Sequence, residues 1–332
     1  MHALPRATTR VLLTRLAVLV AVGAAAGSSL APLVGAAAAT AAPPRRSRPA
    51  YYLAFGASES LGMQPVGARG REIPTDQGYA DALVAMERAR WPGLRLVHVG
   101  CPGITAQAAL EGDGPCRFAA GSELAAAVEF LRHHPGQTVL TTVDLGFNDV
   151  WPCFVSDVVD ESCVTAALAR VSRALPPILG QLRAAGGPTM KIVGLLHNDP
   201  YLAEYLRGPE GREFSDGALS AIDRLNATLA AAYAQAGVPV ADVASAFSLG
   251  TSTPVLVRGG ATLPRDVQKV CELSWMCERH NIHLNAAGYS AVATAIAAAL
   301  ERTPGPSVRG GTRLRGGPVV RARHGREGAA RG

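Results

Sequence analysis

Short apolar runs bounded by glycine or proline alternate with longer stretches of helical periodicity between residues 51 and 302. The apolar runs are five or six residues long and contain many β-branched residues, a pattern typical of strands that are buried on both faces. The predicted strands, in chain order, are Tyr51–Phe55, Leu94–Val99, Val139–Val143, Ile192–Leu196 and Val238–Val243.

The segments between these strands predict helices. They cover Tyr79–Arg90, Ser122–His133, Val164–Ala184, Gly217–Ala236 and Ala286–Leu300, with Asn285 as the cap of the last one. Strands that alternate with helices indicate an α/β domain, with a central parallel sheet of about five strands between two layers of helices. Residues 200–216 and 250–280 show no clear periodicity, and we expect irregular segments there that line or cover a site.

Polar and glycine residues that could carry chemistry follow the predicted strands. Ser58, Gly103 and Asn148 come after the first, second and third strand, and His283 lies just before the final helix. In open parallel sheets, ligands bind beyond the carboxyl ends of the strands. The sequence therefore predicts that these four residues meet at one edge of the sheet.

The first 42 residues have the pattern of a secretory signal peptide. Arg6, Arg10 and Arg15 precede an apolar run, and an alanine-rich region ends at Ala42. An uncleaved membrane anchor is the alternative, since Leu16–Ala42 is long enough to span a bilayer. The many small residues favour cleavage, so we expect a secreted protein without stable membrane insertion, in which residues 43–50 form a linker to the domain at 51–302.

The formal net charge of +6 is unevenly distributed. Residues 1–50 and residues 303–332 each carry +6, so residues 51–302 carry −6. A nucleic-acid-binding protein should carry its positive charge on the folded surface, which argues against nucleic acid as a partner. The Arg/Gly/Pro-rich tail at 303–332 cannot bury apolar area, and we expect it to be disordered.

All six cysteines lie within residues 51–302. An even number in an exported chain indicates disulfides, although six cysteines allow fifteen pairings. The sequence offers three local pairs, which are Cys101–Cys116, Cys153–Cys163 and Cys271–Cys277. Their spacings do not match a zinc site, and we expect no metal.

None of the four candidate residues is specific by itself. Ser58 could be a helix cap, His283 a structural histidine, and Gly103 and Asn148 turn residues. Ser60 also stands where the Gly-x-Ser-x-Gly elbow of α/β-hydrolases requires glycine. Together, however, a serine, two oxyanion-type donors and a late histidine are the groups that acyl transfer requires.

Four segments carry a resemblance to the SGNH (GDSL-type) hydrolase family, in particular to its secreted actinobacterial esterase and lipase-like branch. Phe55–Ser58, His98–Gly103, Gly146–Asp149 and Ile282–Tyr289 resemble the first, second, third and fifth sequence blocks of that family. The resemblance covers nearly the whole of residues 51–302. It implies a three-layer, flavodoxin-like α/β/α sandwich, and the three local cysteine pairs also resemble those of the secreted branch.

The resemblance also implies roles for individual residues. Ser58 would be the nucleophile and His283 the general base, while Ser58 and Gly103 through backbone N–H groups and Asn148 through its side chain would form the oxyanion hole. It implies a secreted carboxylic ester hydrolase that acts on a small-molecule, lipid or glycan ester. We expect a monomer that needs no cofactor.

Two departures from the family pattern affect the expected mechanism. Ala57 replaces the aspartate that usually precedes the serine, and His280 replaces the aspartate that usually lies three residues before the histidine. Glu278, Asp266 or a backbone carbonyl could orient His283 instead. A non-catalytic protein that binds an acylated glycan or lipid, and an acyltransferase on the same fold, stay open as alternatives.

Overall fold

The computed structural model describes residues 49–67 and 70–302. The predicted signal peptide, most of the predicted linker and the predicted basic tail lie outside the described residues. The domain predicted at 51–302 therefore contains almost everything that the structure describes.

Eleven strands lie in the described part of the chain, and five of them form the central sheet. They are β1 (Tyr51–Gly56), β2 (Gln64–Val66), β3 (Arg71–Ile73), β4 (Arg95–Gly100), β5 (Thr138–Asp144), β6 (Phe154–Val155), β7 (Val158–Val159), β8 (Lys191–Leu195), β9 (Val240–Ala241), β10 (Pro254–Leu256) and β11 (Thr262–Pro264). The central sheet is parallel, in the order β4-β1-β5-β8-β9. This is the flavodoxin-like order, and the predicted α/β class with a five-stranded parallel sheet is confirmed.

The α-helices of the described residues are α1 (Tyr79–Glu87), α2 (Ala106–Glu111), α3 (Glu123–His133), α4 (Phe147–Val150), α5 (Glu161–Gly186), α6 (Pro209–Gln235), α7 (Val243–Ala246), α8 (Arg265–Leu273), α9 (Met276–Arg279) and α10 (Ala286–Arg302). Short 3-10 segments span Ser58–Leu61, Trp151–Cys153 and Pro200–Arg207. Asn285 caps α10 as predicted, because its side-chain oxygen accepts from the Gly288 N–H at 3.0 Å.

The side chains of the sheet alternate between two apolar cores. Leu53 and Phe55 of β1 face a core formed with α2, α3, α5 and α6. Tyr52 and Ala54 of the same strand face the other core, formed with α1, α8 and α10. This alternation follows from the two-residue period of a strand, and it produces the three-layer sandwich.

Several predicted boundaries were wrong. Residues 200–216 are helical rather than irregular, since a 3-10 segment ends at Arg207 and α6 begins at Pro209. Gly208, with φ +96°, separates the two helical segments. Residues 250–280 contain the β10–β11 hairpin, α8 and α9. The last central strand, β9, has only two residues, since Asp242 already caps α7 through a 3.0 Å bond from the Ser245 N–H.

Within residues 49–67 and 70–302, no helix is both long enough and apolar enough to cross a membrane.

Candidate active site

Ser58 lies directly beyond the carboxyl end of β1. Gly56 ends the strand with φ +144°, and a Cβ atom there would lie 2.2 Å from the carbonyl oxygen of Asp144. Only glycine can therefore pass so close to β5. The buried carboxylate of Glu123 accepts the Gly56 N–H at 2.8 Å, and the Ala57 N–H donates to the Asp144 carbonyl at 2.8 Å. These bonds fix the turn that carries Ser58.

Asn148 lies on α4, just beyond the end of β5, which is the neighbour of β1 in the sheet. Its side-chain amide donates to the Ile104 carbonyl at 3.1 Å, and the carboxylate of Asp149 accepts the Ala106 N–H at 2.9 Å. The turn after β4 is thereby held against the turn after β5. Gly103 lies on that first turn, exposed, with φ +78°.

His283 is buried on the segment between α9 and α10. Its carbonyl oxygen accepts the Trp275 N–H at 2.9 Å, and its own N–H donates to the side-chain oxygen of Asn281 at 3.1 Å. The Cys271–Cys277 disulfide closes the turn between α8 and α9 that leads to this segment. His283 is therefore held by backbone and side-chain bonds before any ligand binds.

The two ring nitrogens of His283 have different surroundings. Nδ1 lies 3.0 Å from a carboxylate oxygen of Glu72 on β3 and 3.1 Å from the side-chain oxygen of Asn281. The Asn281 amide nitrogen also donates to Glu72. Nε2 is buried and has no hydrogen-bond partner. With its Nδ1–H directed at Glu72, the neutral ring keeps the Nε2 lone pair available to accept a proton.

Burial lowers the pKa of His283 below its ordinary value, and the negative charge of Glu72 partly opposes this shift. The ring is consequently neutral at neutral pH, which is the form that a general base requires.

Glu72 was missed by the sequence analysis. Its carboxylate lies at Nδ1 of His283, and 209 residues separate it from Asn281, to which it is hydrogen-bonded. His280 is exposed and left-handed, with φ +48°. Glu278 is exposed on α9, and the carboxylate of Asp266 accepts the Val267 N–H. The oxygens that bond Nδ1 belong to side chains, so they differ from the backbone carbonyl that was considered as an orienting group.

Ser58, Asn148 and His283 line one pocket, with about 380 Å³ of empty space if its open mouth is included. Gly103 is not among the lining residues, although Asn148 is bonded to the residue that follows it. The complete lining consists of Ala57, Ser58, Glu59, Asp144, Phe147, Asn148, His197, Asn198, Pro200, Ile282 and His283.

Four polar residues of this lining had no place in the sequence analysis, and we call them the inner wall: Glu59, Asp144, His197 and Asn198. Nδ1 of His197 lies 4.0 Å from the carboxylate of Asp144. Asp144 ends β5 and His197 follows β8, so their position beyond strand ends was the available signal.

The described residues contain three disulfides, Cys101–Cys116, Cys153–Cys163 and Cys271–Cys277, the three local pairs that the sequence offers. The first joins the turn after β4 to the segment before α3, and the second joins the segment after α4 to α5. Among residues 49–67 and 70–302, no cluster of three His, Cys, Asp or Glu side chains is arranged to hold a metal ion.

A family model described as the GDSL-like Lipase/Acylhydrolase family matches residues 63–291 of this chain. The matched segment contains Gly103, Asn148 and His283 and begins after Ser58. No curated protein sequence matches the chain.

Solved structures with a similar fold include phospholipase A1 from Streptomyces albidoflavus NA297, at 20% identity and a TM-score of 0.47, with 76% of this chain and 100% of that chain covered. Est24, a carbohydrate acetylesterase from Sinorhizobium meliloti, is 16% identical with a TM-score of 0.46, and the match covers 76% of this chain and 99% of that one.

Proposed function

Because the chain belongs to the GDSL-like lipase/acylhydrolase family, we propose that it is a secreted serine hydrolase that cleaves carboxylic esters through an acyl-enzyme on Ser58. One observation carries this proposal. Ser58 and His283 line the same pocket, and the Nε2 atom of His283 has no partner while Nδ1 is bound to a carboxylate. That is the arrangement in which a histidine can activate a serine hydroxyl.

In the acylation step, the hydroxyl of Ser58 gives its proton to Nε2 of His283 while Oγ forms a bond to the ester carbonyl carbon. The resulting oxyanion accepts hydrogen bonds from the Ser58 and Gly103 N–H groups and the Asn148 side chain. When the bond to the alcohol oxygen breaks, the imidazolium returns the proton to the leaving alcohol. The product of this half-reaction is an ester between Ser58 and the acyl group.

In the deacylation step, a water molecule gives a proton to Nε2 of His283 and attacks the carbonyl carbon of the acyl-enzyme. The Ser58 Oγ then leaves, takes the proton back from the imidazolium, and a free carboxylic acid departs. The same oxyanion donors act in both steps.

Glu72 is the positioning residue of this mechanism. Its carboxylate holds the Nδ1–H of His283, selects the tautomer with a free Nε2 and stabilises the imidazolium that forms in each step. It supplies the negative charge that His280 cannot, which weakens the alternative of a non-catalytic binding protein.

Export of the protein is part of the proposal, and the three disulfides support it. Disulfides persist in oxidising compartments and are rare in the reducing cytosol.

The test is hydrolysis of p-nitrophenyl acetate and butyrate by the oxidised protein and by Ser58→Ala. We expect the change to lower kcat/KM by about 10³-fold or more, because the nucleophile is lost. Ser172→Ala, on the exposed side of α5, is the matched control. A fluorophosphonate probe should label the wild-type protein on the peptide that contains Ser58.

Absence of turnover and of labelling in the folded wild-type protein would contradict the proposal and favour a binding protein. Hydrolysis that survives in Ser58→Ala would contradict the assignment of the nucleophile.

A further inference from the structure

The inner wall of the pocket carries hydrogen-bonding groups that the proposed ester chemistry does not use. Ser58, Asn148 and His283 supply the nucleophile, a donor to the oxyanion and the base. Glu59, Asp144, His197 and Asn198 line the same pocket. An active site for plain alkyl esters needs no such groups, so their presence calls for a polar partner.

The inner wall is held rigidly by bonds at its base. The side-chain oxygen of Asn226 accepts the His197 N–H at 2.8 Å, and its amide nitrogen donates to the His197 carbonyl at 2.8 Å. Nε2 of His197 lies 3.1 Å from the Leu145 carbonyl. These contacts fix the backbone next to Asn198, which lines the pocket.

Two polar atoms of the inner wall have no hydrogen-bond partner. They are the Oδ2 atom of Asp144 and the Nδ2 atom of Asn198. Asp144 is 1% exposed and Asn198 is 3% exposed. Buried polar groups in folded proteins are normally paired, and a group left unpaired costs free energy unless a ligand completes it. Oδ2 of Asp144 is a carboxyl oxygen, which can accept a hydrogen bond, and Nδ2 of Asn198 is an amide nitrogen, which donates one.

The protonation of the acids affects what they can bind. Burial raises the pKa of Glu59, and the neighbouring charge of Asp144 raises it further. Burial also raises the pKa of Asp144, and His197 opposes that shift. Both shifts favour the protonated, neutral form of the two carboxyl groups over the charged form.

We propose that the inner wall binds a hydroxyl-bearing part of the ester substrate, with the hydroxyl donating to Asp144 and accepting from Asn198. This inference rests on the proposed ester hydrolysis. It assigns the protein to hydroxylated esters, such as polyol, sugar or hydroxy-acid esters, rather than to plain alkyl or lipid esters.

The two other classes of substrate fit the same atoms less well. An alkyl chain would leave both Asp144 and Asn198 unpaired after water is displaced. An ammonium group has donors only, so it would leave the Asn198 amide without an acceptor and would require ionised acids in a buried position. A hydroxyl both donates and accepts, so it matches the acceptor oxygen of Asp144 and the donor nitrogen of Asn198.

The experiment compares matched esters by titration of the released acid. On the alcohol side, glyceryl 1-monoacetate is compared with propyl acetate; on the acyl side, ethyl 3-hydroxybutyrate is compared with ethyl butyrate. Acetylcholine, the acetate ester of choline, supplies the cationic comparison. We expect kcat/KM for the hydroxylated member of at least one pair to exceed that of its partner by about tenfold or more, because a site built to bond a hydroxyl rejects the analogue that lacks it.

Asn198→Leu removes the amide donor and should reduce that ratio to about threefold or less. Asp144→Asn, which keeps the size of the side chain, is the second variant in case the first does not fold. Asp113→Asn, at an exposed position, is the matched control and should keep the wild-type ratio.

Equal rates within both pairs, a preference that survives in both inner-wall variants, or a preference for acetylcholine would each overturn the inference. If the wild-type protein hydrolyses none of the esters, the proposed function fails. Ligand-observed NMR on the wild-type protein then tests the inference separately: binding of glyceryl 1-monoacetate but not of propyl acetate supports it, and equal or absent binding overturns it.

Discussion

Two histidine–acid pairs each contribute a histidine to the same pocket, and their acids differ in exposure to water. In the first pair, which we call the rim pair because its acid is exposed, Glu72 is bonded to His283, and its side chain is 42% exposed. In the inner wall, Asp144 lies 4.0 Å from His197 and is buried. Burial raises the pKa of Asp144 and so favours its neutral form, whereas the charge of Glu72 raises the pKa of His283 against the lowering by burial. The rim pair is therefore suited to proton transfer, and the inner pair to hydrogen bonding.

The largest expected effect is the difference in kcat between a variant without His283 and a variant without His197. We expect His283→Ala to lower kcat for p-nitrophenyl acetate by about 10³-fold or more, because it removes the base. His197→Ala should lower kcat by about tenfold or less, because it removes a group that supports the pocket without exchanging a proton with Ser58. Steady-state kinetics of both variants at pH 8, after their folds are compared by circular dichroism, checks this difference.

Equal losses of kcat in the two variants would break the comparison, since both histidines would then act in proton transfer. A larger loss in His197→Ala would reverse the assignment of the base.

The next effect concerns the acid of the rim pair. Glu72→Gln keeps the size of the side chain but removes its charge, and we expect kcat to fall about 10- to 100-fold, less than for a buried acid because Glu72 is partly exposed. Glu72 raises the pKa of His283 against the lowering by burial. Without the charge this pKa falls further, so the limb on which kcat/KM rises with pH should move to lower pH.

Glu278→Gln is the matched control for Glu72→Gln, because Glu278 is a nearby exposed glutamate on α9. It should change kcat by no more than about twofold, as surface substitutions usually do. A limb that stays in place in Glu72→Gln, or that moves equally in Glu278→Gln, would show that Glu72 does not orient His283.

The smallest effect concerns two other buried acids, Glu123 and Asp199, and is measured as the free energy of unfolding. Burial raises the pKa of Glu123 to about 9, although its bond from the Gly56 N–H opposes the shift. The unfolded chain ionises near its ordinary pKa of 4.5, so the stabilising contribution is complete below that pH and is lost as pH rises towards 9. Burial also raises the pKa of Asp199, to about 8, and this acts in the same direction.

Glu123→Gln should keep the bond from Gly56 and remove the titration. We expect the free energy of unfolding at pH 8 to rise by about 1 kcal/mol or more relative to the wild-type protein, with little change at pH 5. Urea unfolding at both pH values measures this. Glu129→Gln, an exposed position on the same helix, should leave the pH dependence unchanged, and a wild-type protein that is equally stable at both pH values would contradict the expectation.

The sequence alone located the central sheet well. The strands around Tyr51–Phe55 and Val139–Val143 were predictable because buried parallel strands are continuous apolar runs. The start of α6 at Pro209 was not, because a left-handed Gly208 between two helical segments has the same sequence signal as a loop. The short hairpins were also missed, since two or three residues per strand give no measurable period.

The sequence by itself determined the five central strands and the long helices between them, and it marked Ser58, Asn148 and His283 as the residues that would meet beyond the strand ends. These features are local: each depends on a short pattern and on the rule that parallel strands end at one edge. Only the tertiary structure decided that Glu72 reaches His283 and that Asp144 and Asn198 are buried and unpaired in the same pocket. Those facts depend on the packing of segments that are far apart in the chain. Packing sets how much water and which neighbouring groups surround a carboxyl group, and these surroundings decide whether it acts as an orienting charge or as a neutral hydrogen-bonding group.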